Sequence, residues 1–230
     1  KILQALAQLD YSNPNVSLLV ASQPIDQLAK LTHFYHCTLD RLPESFVEGL
    51  LEKHAVPNTR VEKVSLAHVI HEKSNGNALY CKYLIDYAVT NKTHTSFEWI
   101  NTLPPYDFNL TSYYQYLYEQ IQGDTRVPYA LCGADFSITV TELQEITHIG
   151  SSVSKQLTLL KPILRYTPAN GYSIYHESFK RFIIDTINNQ GASIDHLIYR
   201  PLIEWLETHS FFESTKAYGH LLKLYYEVNA

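Results

Sequence analysis

Apolar positions along this chain recur in two rhythms, and the change from one to the other marks out its regions. Ile2, Leu3, Leu6 and Leu9 fall on one face of a helix that Ser12-Asn13-Pro14-Asn15 breaks. Val16 to Ala21 (VSLLVA) is then apolar without interruption. A strand apolar on both faces belongs inside a parallel sheet covered by helices. Ser22-Gln23-Pro24 follows at its C-terminal end, where ligands sit in open α/β sheets. Phe34 to Leu39 reads as a second short strand, so residues 1–39 are expected to form the C-terminal edge of an α/β core.

Residues 40–104 read as helical. Phe46, Leu50 and Leu51 define one amphipathic face, and Val61, Val64, Leu66, Val69 and Ile70 suggest one or two more helices. Ser74-Asn75-Gly76-Asn77 interrupts the pattern, which Leu79, Tyr80, Tyr83, Leu84 and Tyr87 resume before a Leu103-Pro104-Pro105 linker. Across residues 105–187, Tyr113, Leu117 and Ile121 place a helix before Gly123, and Thr139-x-x-Glu142 is a capping-box signature. Val153, Leu157, Leu160 and Leu164 then repeat at helical spacing after a Gly150-Ser151 turn. Two strand-like runs, 165–167 and 172–174, flank Pro168-Ala169-Asn170-Gly171, a hairpin signal, and Phe179, Phe182, Ile183 and Ile187 close the region with a helix. Helix, turn, helix and β-wing add up to a winged helix. Residues 188–230 read as a helical hairpin on Leu202, Trp205 and Leu206, then Tyr218, Leu221, Leu222 and Tyr225, the start of a helical repeat array. The fold class is therefore mainly α with some β.

Composition narrows this. The 230 residues are comfortable for two or three small domains, and 45% apolar content supports real cores. No run of eighteen apolar residues and no signal sequence occurs, so a cytoplasmic chain without a membrane partner is expected. The chain opens on KILQALAQL without an initiator Met, the appearance of a fragment or of a processed chain, and it contains no Met at all, which no physical argument explains. Cys37, Cys81 and Cys132 lie far apart in apolar neighbourhoods and read as buried free thiols. A net charge of −5, spread without blocks, gives no footprint for nucleic acid or anionic lipid.

Most familiar chemistries are missing. The second helix of the winged-helix pattern, roughly Ser151 to Leu164, carries only Lys155 and Lys161 as cations. From Arg126 to Ile187 six Lys and Arg face five Asp and Glu, a net of +1 where phosphate neutralisation needs clustered charge. His33-x-x-His36-Cys37 lacks a nearby fourth ligand, and strand alternation splits it between two faces, so histidines at a sheet edge are expected there and no metal site. There is no nucleophile-elbow or Cys–His signature, so no catalytic residue is assigned. The 18 Tyr, clustered at helical spacing as in Tyr113-Tyr114-Gln115-Tyr116, read as packing surfaces. A P-loop is absent, so the chain alone is not expected to bind a nucleoside triphosphate tightly.

Three segments carry a family resemblance. VSLLVASQP (16–24) resembles the sensor-1 strand of STAND NTPases, the NACHT and NB-ARC class. HEKSNGNALYCKYLIDYA (71–88) resembles their lid motif, and YSIYHESFKRFII (172–184) resembles the end of their winged-helix domain. The resemblance covers about residues 1–187. It implies an NTPase-core edge at 1–39, a helical lid at 40–104, a winged helix at 105–187 and the start of a repeat array at 188–230. It further implies an ATP/ADP site with Mg ligated outside this chain, Asn75, Gly76, Asn77 and Ala78 at the nucleotide base, Ser22 and Gln23 in the sensor-1 region, and His176 on the phosphates of ADP. Two departures stand out. Gln23 occupies the place of the usual Arg, and an uncharged amide cannot sense the γ-phosphate as a cation; Ala78 occupies the place of the lid Pro.

Segments such as LYCKYL and LPPYDFNLTSYYQYL are similar in tone to bacterial antiviral STAND proteins. That implies a switch that homo-oligomerises when its C-terminal repeats recognise a protein ligand, a phage protein being the candidate. A winged-helix DNA-binding regulator and a helical protein-interaction scaffold are the alternatives, with Asn77 and His176 then acting only as helix caps. The charge pattern weighs against the first in a measurable way. At ~0.15 M salt, where non-specific complexes have Kd of ~10⁻⁴–10⁻⁶ M, fluorescence polarisation is expected to show no submicromolar binding of duplex DNA by the chain.

Overall fold

The structure, a computed structural model, describes residues 34–230 except 36, 38, 39, 55, 57–59, 92–97, 109, 122, 213 and 230. The expected helix at 1–9, the expected strand at 16–21, and Ser22, Gln23, His33 and His36 lie outside the described residues. Phe34, Tyr35 and Cys37, the described part of the expected second strand, are not in a strand. Cys37 is exposed, against the expectation of a buried thiol. Cys81 and Cys132 are buried and free; burial pushes the Cys81 thiol up and raises Cys132 to about 12, so both are inert as nucleophiles at neutral pH. The chain divides into two units, Lys1–Asp40 and Arg41–Ala230.

The described residues are mainly helical. Helices α1 (Glu44–Lys53), α2 (Arg60–Ser74), α3 (Ala78–Asn91) and α4 (Glu98–Thr102) come first, and α1 packs on α2 and α3. Pro43 starts α1, Glu44 stands in its first turn and Lys53 in its last, each sign matching the helix dipole. Its buried stripe is Val47 and Leu51; Phe46, expected on the core face, is half exposed. In α2 the core takes Leu66, Ala67 and Ile70, and Val64 points outward. In both helices the apolar residues span a wider arc than the neighbouring helices cover, so packing selects among them.

Helices α5 (Thr111–Gln120), α6 (Arg126–Gly133), α7 (Val140–Thr147) and α8 (Ser152–Leu160) follow. The capping box at α7 is formed: the Thr139 hydroxyl accepts from Glu142 N–H at 3.3 Å, and the Glu142 carboxylate accepts from Thr139 N–H at 2.7 Å. Helix α6 was not foreseen from the sequence. Its residues 127–132 are all buried, so it has no polar face to produce a helical rhythm. Pro128 sits in its first turn, where a backbone donor is not needed.

A 3₁₀ turn, Lys161–Ile163, then leads into an antiparallel hairpin of β1 (Leu164–Thr167) and β2 (Gly171–Ile174). Thr167 pairs with Gly171, so the loop is the three residues 168–170 and not a two-residue Asn-Gly turn. Gly171 is required there. Its φ is +94°, and a Cβ would collide with the Ile138 carbonyl. That contact is the price of a bridge in which Ile138 and Tyr172 exchange backbone hydrogen bonds at 2.8 and 2.7 Å, tying the hairpin to the segment before α7.

Helix α9 (Glu177–Asn189) buries Phe179, Phe182, Ile183 and Ile187, as the pattern predicts. A π-helical turn, Asp195–Tyr199, runs into α10 (Arg200–Glu207), and α11 (Thr215–Asn229) packs against both. The α11 face differs from expectation: Ala217 and Leu224 are buried, whereas Tyr218, Leu222 and Tyr226 are exposed. Among the described residues, no helix is long and apolar enough to cross a membrane.

The α11 helix is tied back by charge. Lys216 Nζ lies 2.6 Å from both carboxylate oxygens of Glu142, the residue that closes the α7 capping box. Burial alone would raise the Glu142 pKa, but hydrogen bonds from Lys216 and Thr139 outweigh it and hold the carboxyl below its usual value. A depressed carboxylate contributes stability above its unfolded pKa and loses it as pH falls through the folded one. Lys216→Met is therefore expected to destabilise the chain by roughly 1–2 kcal/mol at pH 7. In urea melts the gap to wild type should close as pH falls below the ordinary Glu range, near ~4.3; a gap that persists at pH 3 would point to packing alone.

Candidate functional site

The expected nucleotide-contacting residues fall in two places. The first is the turn between α2 and α3. Asn75 (φ +51°) and Gly76 (φ +66°) are both left-handed, and Gly76 N–H returns to the His71 carbonyl at 3.2 Å, closing α2. Asn77 caps α3, its Oδ1 accepting from Tyr80 N–H at 2.9 Å. Its Nδ2 donates to the Tyr106 hydroxyl at 3.0 Å, and that hydroxyl donates to the Phe108 carbonyl at 2.9 Å.

The segment before α1 lies against this turn. Leu42 N–H donates to the Gly76 carbonyl at 2.8 Å, the His71 ring Nε2 meets the Leu42 carbonyl at 2.9 Å, and the Arg41 guanidinium hydrogen-bonds the Asn75 amide oxygen. A Cβ at Gly76 would stand 2.8 Å from Arg41 Cβ and 2.9 Å from the Leu42 carbonyl. Below it, Ser74 Oγ lies 2.9 Å from Cys81 Sγ, and Tyr106 N–H donates to the Lys73 carbonyl at 3.1 Å. The turn thus staples three segments together, and its polar groups are largely spent on the protein itself. Ala78, the first residue of α3, is exposed.

The second place is His176, the N-cap of α9, in extended backbone (φ −136°, ψ 133°) directly after the hairpin. Its Nδ1 accepts from Ser178 N–H at 3.2 Å and lies 2.6 Å from Ser178 Oγ. Ser178 Oγ is in turn 2.6 Å from the Tyr114 hydroxyl on α5. Burial raises the Tyr114 hydroxyl above its usual range, so it remains a protonated donor at neutral pH. The ring is half-buried, and Glu177 beside it is exposed, 3.9 Å from Lys180 Nζ. Nearby, Lys82 Nζ and the Arg165 guanidinium lie 4.8 and 5.6 Å from the centre of the Tyr175 ring.

Sequence reasoning missed Ser178, Tyr114 and Arg41. Ser178 was recoverable, because a Ser two residues after an N-cap can face the cap side chain. Tyr114 and Arg41 lie 64 and 34 residues from their partners, and no local pattern reports such pairs. A cavity of about 540 Å³, lined in part by Arg126, Glu145, His148 and Trp205, involves none of the expected site residues. Among the described residues, no cluster of three or more His, Cys, Asp or Glu is arranged to hold a metal. No protein-family model, curated protein or solved structure matches the chain.

The staple has a direct test. Gly76→Ala adds a Cβ at a left-handed φ and between two backbones, and is expected to cost roughly 1–3 kcal/mol. Gly49, exposed within α1 with nothing within 4 Å of its added Cβ, is the control. Gly49→Ala should stabilise by about 0.5–1 kcal/mol through helix propensity. Equal effects of the two substitutions in chemical denaturation would show that the 41–42 segment does not rest on the turn.

Proposed function

We propose that this chain is part of a STAND-type nucleotide-dependent signalling switch, in which residues 105–187 form a winged-helix domain that closes over bound ADP. In this reading residues 1–39 belong to the edge of the NTPase core, and the P-loop, Walker B carboxylate and Mg ligands lie outside the chain. Residues 188–230 begin a repeat array that recognises a protein ligand, in anti-phage defence a phage protein. The observation that carries the reading is the placement of His176. It stands at a rigid strand-to-helix junction, with one ring nitrogen committed to α9 and no described group hydrogen-bonded to the other.

The fit to a nucleotide differs between the two places. At His176 a free ring N–H suits a phosphate oxygen. At the α2–α3 turn, Gly76 N–H, Gly76 C=O and the Asn77 side chain are already partnered, so in this conformation they offer a base little beyond van der Waals contact. That observation favours a second reading for the turn, a helical scaffold in which Asn77 caps α3 and holds Tyr106. A bound nucleotide would supply the free-energy difference between closed and open states. The chain's own part is a hydrogen bond made only when closed, so its loss shifts the population toward the open form.

A charge-assisted hydrogen bond of this kind is worth roughly 1.5–3 kcal/mol. In protein that includes the upstream core, His176→Ala is therefore expected to raise the ADP off-rate and resting oligomerisation by about 10-fold or more, with ATP binding retained. His196→Ala, at an exposed position on the π-helical turn, is the control. Wild-type ADP release from a well-folded His176→Ala protein would reduce the histidine to a helix cap.

A further inference from the structure

The hydrogen bonds around His176 determine more than its position. Backbone Ser178 N–H can only donate, so the His176 Nδ1 it meets at 3.2 Å carries a lone pair and no proton. Ser178 Oγ, 2.6 Å from that same nitrogen, can then approach only with its hydrogen toward the ring. Having spent its one hydrogen there, Ser178 Oγ must accept from the Tyr114 hydroxyl at 2.6 Å. The direction is thus set along the whole chain: Tyr114 O–H to Ser178 O–H to His176 Nδ1. In the neutral ring the remaining proton sits on Nε2. Among the described residues Nε2 has no hydrogen-bond partner.

We propose that Ser178 and Tyr114 are positioning residues that hold His176 in the Nε2–H tautomer, presenting a single outward N–H donor to a ligand oxyanion. This rests on the phosphate-facing reading of His176 for the identity of the ligand, but the tautomer itself does not. It has a chemical consequence: with one nitrogen committed and the other protonated, the neutral ring in this arrangement is not a metal ligand. It offers an acceptor oxygen a donor whose orientation needs no reorganisation on binding. Tyr114 is anchored for this task by its contacts with Phe179 (ring centroids 5.3 Å, edge-on) and Phe182 (5.8 Å), two residues of the helix that His176 caps. Tyr114 on α5 thus meets the start of α9 through ring packing as well as through its hydrogen bond to Ser178.

The test reads the tautomer first. Long-range ¹H–¹⁵N spectra of the ¹⁵N-labelled chain at pH 8, with His176 assigned by its loss in His176→Gln, should show a protonated Nε2 and an unprotonated Nδ1. Ser178→Ala keeps the backbone amide that faces Nδ1 but loses the hydroxyl donor, and the loss of that one hydrogen bond should raise the Nδ1–H population about 5-fold; Tyr114→Phe should raise it less, and Ser178→Thr should restore the wild-type spectrum. A protonated Nδ1 in the wild type, or Ser178→Ala leaving the His176 shifts unmoved, overturns the relay. ADP release from protein containing the upstream core is then measured. Ser178→Ala should accelerate it several-fold, with Ser178→Thr rescuing it. A shifted tautomer with unchanged ADP release leaves the relay standing and overturns the nucleotide reading of His176.

Discussion

The part of this chain beyond residue 40 depends on a seam of buried aromatic rings. Tyr80 and Tyr83 on α3 meet Tyr113 on α5 at ring-centroid distances of 5.0 and 5.4 Å, the second pair stacked. One residue further, Tyr114 meets Phe179 and Phe182 of α9, and Tyr118 meets Phe182 edge-on at 6.0 Å. Each ring buries a large area, and well-oriented pairs add about 0.5–1.5 kcal/mol beyond that area. The seam is what makes α3, α5 and α9 a single packed body, and it carries a cost. The Tyr113 hydroxyl is buried without a hydrogen-bond partner among the described residues, and desolvation holds its pKa well above the ordinary tyrosine value. An unsatisfied buried hydroxyl costs about 1–3 kcal/mol, which the surrounding ring contacts must outweigh.

His176 inherits its surroundings from that seam. Tyr114 packs its ring against Phe179 and Phe182 and places its hydroxyl on Ser178, so the packing that orders α9 also orients the imidazole at its start. The α2–α3 turn is organised on the opposite principle. It closes on itself through Gly76, Asn77, Leu42 and Tyr106, and its order comes from satisfied polar groups. Of these two places, only His176 keeps a directed polar group in reserve. In the proposed switch, closure would act through His176 at the start of α9. The C-terminal helices are coupled to the same module through Lys216 and the α7 cap, and through the Trp205 indole N–H, which donates to Glu145 at 2.9 Å.

Local chemistry in the sequence determined a good deal. The Thr139–Glu142 capping box, the hairpin around Gly171 and the apolar stripe of α9 follow from side chains within a few residues of one another, whose energetics hardly depend on the rest of the chain. The mainly helical class was legible for the same reason. Tertiary structure alone decided the rest. Helix α6 is buried on all sides and leaves no periodic trace; Phe46 and Val64 point outward because the neighbouring helices cover only part of an apolar arc; α11 buries Ala217 and Leu224 in place of Tyr218 and Leu222. Asn75, Gly76, Asn77 and His176 could be marked from their residue types, but whether their polar groups are spent or free was not. That depended on Arg41, Leu42, Tyr106, Tyr114 and Ser178, and in most of these pairs the partner lies dozens of residues away. A hydrogen bond is set by where the fold brings two groups together, and spacing along the chain does not encode it.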